Sequence, residues 1–334
     1  MASLVTLVVA LLAAVISGDA SAEPEAPIII KFSHVLDADT TKGRAAELFK
    51  ELAEARTGGR VRVDVYPNDS LYGDKNELEA LQLGAVQMIA PALSNFRALG
   101  LREFEVFDLP YLFDSYADLH DVTEGPMGAS LLRRLEAKGI HGLAYWDVGF
   151  KNMIADRPLR TPADFAGVRM RIKSSSMIDA QMRALGAVPV TLPYSETLRA
   201  LRTGLVDGTE NSVSSFVAQH MDREHLYLTL SAHGYIGYAV VVNRRFWERL
   251  PADIRAALES AMRDVTRQHN AMVEAREAEM LAAVKRAGRT TVIELTPQQK
   301  ATWKRALMQV HEGADPISRE LVRGIRAIQA VPAS

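Results

Sequence analysis

Residues 78–96 read LEALQLGAVQMIAPALSNF, and residues 198–216 read LRALRTGLVDGTENSVSSF; the two stretches align without a gap at an offset of 120, with seven of nineteen positions identical. Each copy reads as a short helix, a glycine (Gly84 or Gly204), a strand, a polar tip and then Ser-x-Phe. Glycine takes the left-handed conformation just past a helix end without steric cost, so its place in both copies has a backbone reason. Helix-Gly-strand units are common in α/β proteins, and two of them can resemble each other by chance. The sharper reading is two similar lobes facing each other. Ligands of open α/β sheets sit outside the carboxyl ends of the strands, so the tips at 91–95 and 209–215 would then line one cleft from opposite sides.

The pattern continues outward from the first copy. Ile28 to Phe32 form a short apolar run fit for a buried strand, and residues 40–56 carry Ala45, Leu48, Phe49 and Leu52 on one helical face before Gly58-Gly59. Val61, Val63 and Val65 then alternate with Arg62 and Asp64 as a second strand. Strand, helix and strand in that order predict a parallel α/β layer. A helix over 76–83, a strand over 86–90, a helix over 127–138 and a strand over 140–146 extend the alternation. Beyond the second copy, residues 252–287 contain neither Gly nor Pro, with Pro251 before them and Gly288 after them. One helix of that length spans roughly 54 Å, enough to brace two lobes; the alternative is two helices broken near His269-Asn270.

The chain has 334 residues, 48% hydrophobic and 24% charged, with a formal net charge of -2. That composition supports two globular cores and advertises no basic face for nucleic acid or anionic lipid. Cysteine is absent, which excludes disulfides, thiolate metal sites and a cysteine nucleophile. An apolar run from Leu4 to Ile16, followed by Ala20-Ser21-Ala22, has the form of a secretory signal peptide over residues 1–22, although no Lys or Arg precedes it. A membrane anchor is the other reading of that run.

Catalytic motifs are missing: there is no G-x-S-x-G, H-E-x-x-H, G-x-x-x-x-G-K-[ST] or G-x-G-x-x-G. The closest histidine pair, His220 and His225, is five apart rather than the four that one helix face needs for zinc. No catalytic residue, metal or cofactor is therefore expected. Basic residues gather between Lys151 and Lys173, and within 168–172 the alternation puts Arg169 and Arg171 on one face and Val168, Met170 and Ile172 on the other. A guanidinium presents a fixed fork of donors that matches a carboxylate and stays charged when desolvated. By spacing alone, a solvated charge or a structural salt bridge is the favoured reading for each of these arginines, since most charges stay at the surface.

The blocks TPADFAGVRMRI (161–172), ALGAVPVTLPYSE (184–196) and ALRTGLVDGTEN (200–211) resemble the substrate-binding subunit of tripartite ATP-independent periplasmic (TRAP) transporters, the DctP type. So do KFSHVL near the start, VYPNDSLYGDKNELEALQLGAVQM, and AVVVNRRFWERLP ahead of the long helix. The resemblance implies a two-lobe periplasmic binding protein fold of type II character, hinged and braced by the long helix. Lobe I is expected over 23–153 plus about 237–276, and lobe II over 154–236 plus about 277–334. It further implies a periplasmic, non-enzymatic receptor that captures a small organic carboxylate, a C4-dicarboxylate, sugar acid or similar organic acid, and hands it to a pair of integral membrane subunits; a monomer is the default expectation. A sensory receptor of the same fold feeding a kinase shares every residue-level expectation, and a periplasmic enzyme on this scaffold, the third reading, would need an activated nucleophile, base or metal in the cleft. Of the site residues, Arg171 matches the arginine that binds the ligand carboxylate, and Asn211 the asparagine that hydrogen-bonds it. Arg157, with Lys151 as its rival, matches a second basic contact. Tyr194 matches an aromatic wall, and Ser174, Asn95, His34 and Trp146 fall at or near pocket positions. The acidic pocket residue of sialic-acid-type members falls near Ala92 or Leu93, which argues against sialic acid.

Overall fold

Hydrophobic alternation and glycine stops translate into nine strands: β1 (Ile28–Ser33), β2 (Val61–Tyr66), β3 (Met88–Ile89), β4 (Ile140–Ala155), β5 (Arg169–Ile172), β6 (Val188–Thr191), β7 (Gly208–Asn211), β8 (Tyr227–Asn243) and β9 (Thr291–Glu294). The computed structural model describes residues 26–330; the signal-like run and its small-residue triplet lie outside the described residues. The strands form one sheet in the order β2-β1-β3-β8-β4-β7-β5-β6, with β9 pairing β8. This order is a palindrome of roles. β1 is flanked in parallel by β2 and β3, and β5 is flanked in parallel by β6 and β7. β3 then meets β8 antiparallel, and β7 meets β4 antiparallel. The two repeat units thus occupy equivalent places in two halves of the sheet.

β4 and β8 run through both halves, pairing from Ile140↔Asn243 to Ala155↔Tyr227, with register shifts at 142/144, 147/149 and 151/153. The expected strand over 140–146 is therefore less than half of β4. The cause is local: a bulge turns the side-chain alternation over, so a period-two reading stops where the strand does not.

Helices cover the sheet: α1 (Thr41–Arg56), α2 (Glu77–Leu83), α3 (Tyr116–Thr123), α4 (Pro126–Arg134), α5 (Ser176–Ala184), α6 (Thr197–Arg202), α7 (Val213–Ala218), α8 (Arg244–Arg249), α9 (Ala252–Ala287), α10 (Pro297–Glu312) and α11 (Pro316–Gln329). α1 starts where Thr40 accepts the Gly43 N–H, and it buries Ala45, Ala46, Phe49 and Ala53 against Ile30, Phe32 and Val63. α2 and α6 end before Gly84 (φ 78°) and Gly204 (φ 66°), both left-handed as the duplication requires.

α9 is one unbroken helix of 36 residues. Arg56 of α1 pairs with its Asp264 at 2.6 Å. In its middle, Asn270 accepts the Asp147 N–H (3.1 Å) and donates to the Tyr145 carbonyl (3.3 Å), while the His269 ring lies 2.8 Å from the Asp147 carbonyl. These residues serve backbone groups of β4 beside its 147/149 register shift. The suspected breakpoint is thus the place where the helix grips the crossing strand. Further along, Glu277 accepts the N–H groups of Val213 (2.8 Å) and Ser214 (2.9 Å) at the start of α7.

Candidate functional site

The two repeat tips converge where the sheet halves face each other. From the first half, Asp74, Ala92 and Asn95 line a cavity; from the second, Arg171, Lys173, Tyr194, Glu210 and Asn211 do. Between them the crossing strands contribute Lys151 of β4 and Tyr238 of β8. A second crevice, lined by Asp39, Thr41, Ser215, His220, Arg223 and Arg276, holds none of the buried cations.

Arg171 is 5% exposed, and its Nε and Nη2 donate to the Leu192 carbonyl at 3.0 and 2.8 Å. Those bonds fix the plane of the guanidinium and leave its outer edge for a ligand. Burial pulls its pKa below the usual arginine value, opposed first by the charge of Asp74. Arg169, two residues earlier on the same strand face, is exposed and paired with Asp207 (3.0 Å). One lies under the facing half and the other at the rim, so equal spacing gives them unequal surroundings.

Lys151, fully buried, contacts Glu210 at 2.8 Å and Asp108 at 3.3 Å. Lys173 contacts Asp108 at 2.9 Å. Glu210 also meets His233 (2.9 Å) and the Gln181 amide (3.1 Å). Burial alone would raise the Glu210 carboxyl, but Lys151 and His233 outweigh it and hold the group well below the carboxylate range. Burial likewise opposes the Lys151 charge, and Glu210 and Asp108 more than restore it. The second-half wall is therefore a charged network kept ionised out of water, which is affordable only because its members bond one another.

The first-half wall is different in kind. Asp74 accepts the Tyr194 N–H across the cleft at 3.3 Å and lies 3.4 Å from the Asn95 amide, which also donates to Glu77 at 3.2 Å. Glu77 is fully buried, and burial raises its carboxyl pKa toward neutral. Behind Tyr238, Lys42 is buried with its Nζ 3.6 Å from the ring centroid and 3.2 Å from the Ala90 carbonyl.

The structure brings together Arg171, Asn211, Tyr194 and Asn95. Asn211 Oδ1 accepts the Ser212 N–H (2.9 Å), turning its amide donors elsewhere. Four other expected residues stand outside the cavity. Arg157 follows the end of β4, half-exposed and paired with its neighbour Asp156 at 2.8 Å; Lys151, its rival, is the cation in place. Trp146 is fully buried in the core of the first half, donating to Thr266 at 3.0 Å. Ser174 is exposed just past β5. His34 is buried at the end of β1, and burial pushes its pKa to about 3, so the ring is neutral. Asp74 and Glu210 line the cavity without having been singled out, and Lys173, the last of the basic cluster, lines it without having been assigned a ligand contact. Asp74 sits in a turn before a helix, where spacing carries no signal, and Glu210 looked like one carboxylate among 41 acids.

A cleft between two half-sheets, walled by buried cations, is the geometry of a solute receptor, and the model of bacterial extracellular solute-binding protein family 7 (DctP) matches residues 32–315. The chain belongs to that family. Among family 7 proteins it is 52% identical over 305 residues to the C4-dicarboxylate-binding periplasmic protein DctP of Rhodobacter capsulatus, covering 91% of this chain and 92% of that one. It is 37% identical over 298 residues to the C4-dicarboxylate-binding protein DctB of Bacillus subtilis, covering 89% and 85%. Two solved TRAP periplasmic solute-binding proteins share its fold. One, from Pseudomonas aeruginosa with bound L-malate, has a TM-score of 0.84 and 39% identity, covering 86% of this chain and 100% of that chain. The other, from Shewanella oneidensis with bound succinate, has a TM-score of 0.87 and 35% identity, covering 91% and 99%. Family 7 proteins are receptors for small organic acids that work with TRAP membrane components and do no chemistry on their ligand. The two-lobe α/β fold and the receptor function read from the sequence hold, and membership implies a periplasmic location.

Proposed function

We propose that this receptor captures a C4-dicarboxylate of the succinate and L-malate type and delivers it to TRAP membrane subunits for ion-gradient-driven uptake. The observation that carries the reading is the Arg171 guanidinium, buried in the cleft wall with one edge tied to the Leu192 carbonyl and the other edge unspent. In this reading the free edge forms two parallel hydrogen bonds with a carboxylate, Asn211 donates from the second half, Asn95 lines the facing wall with its amide held by Asp74 and Glu77, and Tyr194 closes over the ligand. Water exclusion on closure strengthens the Arg–carboxylate pair, and contact with both halves stabilises the closed state. Arg157, Trp146, Ser174 and His34 take no part in ligand contact.

The lobes divide as 23–153 plus about 237–276 and 154–236 plus about 277–334, with the crossings in β4, β8 and α9 as the hinge. Export through a signal peptide over 1–22 and a monomeric state complete the proposal. A thermal-shift screen of residues 23–334 against small organic acids, sugars and amino acids tests it. A ligand at 100 times its dissociation constant adds about 2.7 kcal/mol, a shift of a few degrees. Stabilisation by C4-diacids recovered unchanged supports the reading; stabilisation by neutral compounds alone overturns the Arg171 assignment.

A further inference from the structure

We propose that Lys173 binds the second carboxylate of the ligand and is the residue that makes this receptor select diacids over monoacids. The inference rests on the C4-dicarboxylate reading above. Arg171 in β5 and Lys173, the first residue past the end of that strand, stand two residues apart on extended backbone, and both line the cavity. Two positions along a strand are about 6.6 Å apart. The carboxyl carbons of an extended four-carbon diacid are about 4 Å apart, and each oxygen–nitrogen hydrogen bond extends that reach outward, so one diacid lying along β5 meets both cations.

The partners of each cation single out Lys173. An ammonium has three donors. Lys151, the other lysine of the cavity, divides its donors between Glu210 and Asp108. Among the described residues, Asp108 is the sole carboxylate within 4.0 Å of the Lys173 Nζ, and Lys151 shares it. Burial lowers the Lys173 pKa and Asp108 only partly opposes this, as expected for an ammonium short of partners. The facing wall offers no alternative anchor: a carboxylate turned toward it meets the charge of Asp74, while Lys42 lies behind Tyr238. A ligand carboxylate at Lys173 supplies the missing acceptor and keeps clear of Asp74.

Succinate and succinamate, its monoamide, separate this proposal from the wider reading, because they have the same shape and differ by one charged end. Calorimetry on the wild-type chain should show succinate bound about 30-fold more tightly, the usual gain from a charged hydrogen bond. In Lys173→Met that preference should collapse to within about 3-fold while succinamate affinity stays nearly unchanged, which also reports that the variant is folded; Lys173→Arg should restore most of the preference. A preference that survives in Lys173→Met, or that is absent from the wild type, overturns the role of Lys173 while leaving the receptor a succinate binder. A wild-type chain that binds neither compound overturns the dicarboxylate reading itself.

Discussion

The two halves of the sheet share a topology and divide the chemistry. Each places a parallel trio of strands, a glycine-stopped helix and a polar tip at the cleft. The second half carries Arg171, Lys173, Glu210 and Asn211, an ionised network with direct ion pairs. The first half offers Asp74 and Asn95 in front of a buried Glu77 that burial holds toward its neutral form. Duplication thus supplies symmetric walls, and in the proposed reading the side chains make one wall the anchor and the other the latch, through the Asp74 contact to the Tyr194 N–H. A symmetric pair of anchors would hold a ligand in either half. An asymmetric pair, as proposed here, would load one half and close the other over it.

The most severe way to break this comparison is to remove the anchor. Arg171→Ala should weaken ligand binding about 1,000-fold, roughly 4 kcal/mol, by calorimetry. Arg171→Lys should recover only part of that loss, because an ammonium cannot hold the Leu192 carbonyl and a bidentate carboxylate together.

Next comes the network behind the anchor. Lys151→Met leaves Glu210 short of its main cation and should cost about 3 kcal/mol or more in urea unfolding. The acid limb of stability sharpens the same point. Glu210 is held below its ordinary value of 4.5, so its contribution is complete above that pH and is lost as pH falls through the lower folded-state value. The melting midpoint should therefore drop below pH 4.5, and Glu210→Gln should flatten that limb while lowering stability at neutral pH.

A smaller effect is expected where α9 reaches the second half: Glu277→Ala removes the carboxylate that accepts two N–H groups at the start of α7 and should cost about 1 kcal/mol. The smallest is Arg157→Ala, which should leave ligand affinity unchanged and alter stability by less than about 0.5 kcal/mol, since its partner is an exposed neighbour.

The sequence carried the scaffold more completely than the site. Gly84 and Gly204 marked equivalent helix ends, and the absence of Gly and Pro between Ala252 and Ala287 marked α9 to the residue. These features depend on local backbone chemistry, which neighbouring residues declare. The site depends on which residues meet across the cleft. Arg157 and Lys151 are six residues apart, but β4 carries Lys151 into the cavity and ends at Ala155, which leaves Arg157 in the exposed turn beyond it. Trp146, on the same strand, points into the core, its face being set by register. Arg169 and Arg171 share a strand face, and what separates them is the opposite half of the molecule.

The two halves also share their hydrogen bonds. β4 and β8 pair from Ile140↔Asn243 to Ala155↔Tyr227, so neither half owns a finished sheet edge at the middle of the molecule. Severing the chain at the proposed lobe bounds would part the 149–153 stretch of β4 from the 229–236 stretch of β8 and bare their N–H and C=O groups, the template on which strands of other chains add. A split receptor built from these lobes should therefore be insoluble as isolated fragments and recover solubility when both are made together, much as the two sides of a zip fastener have a shape only when closed.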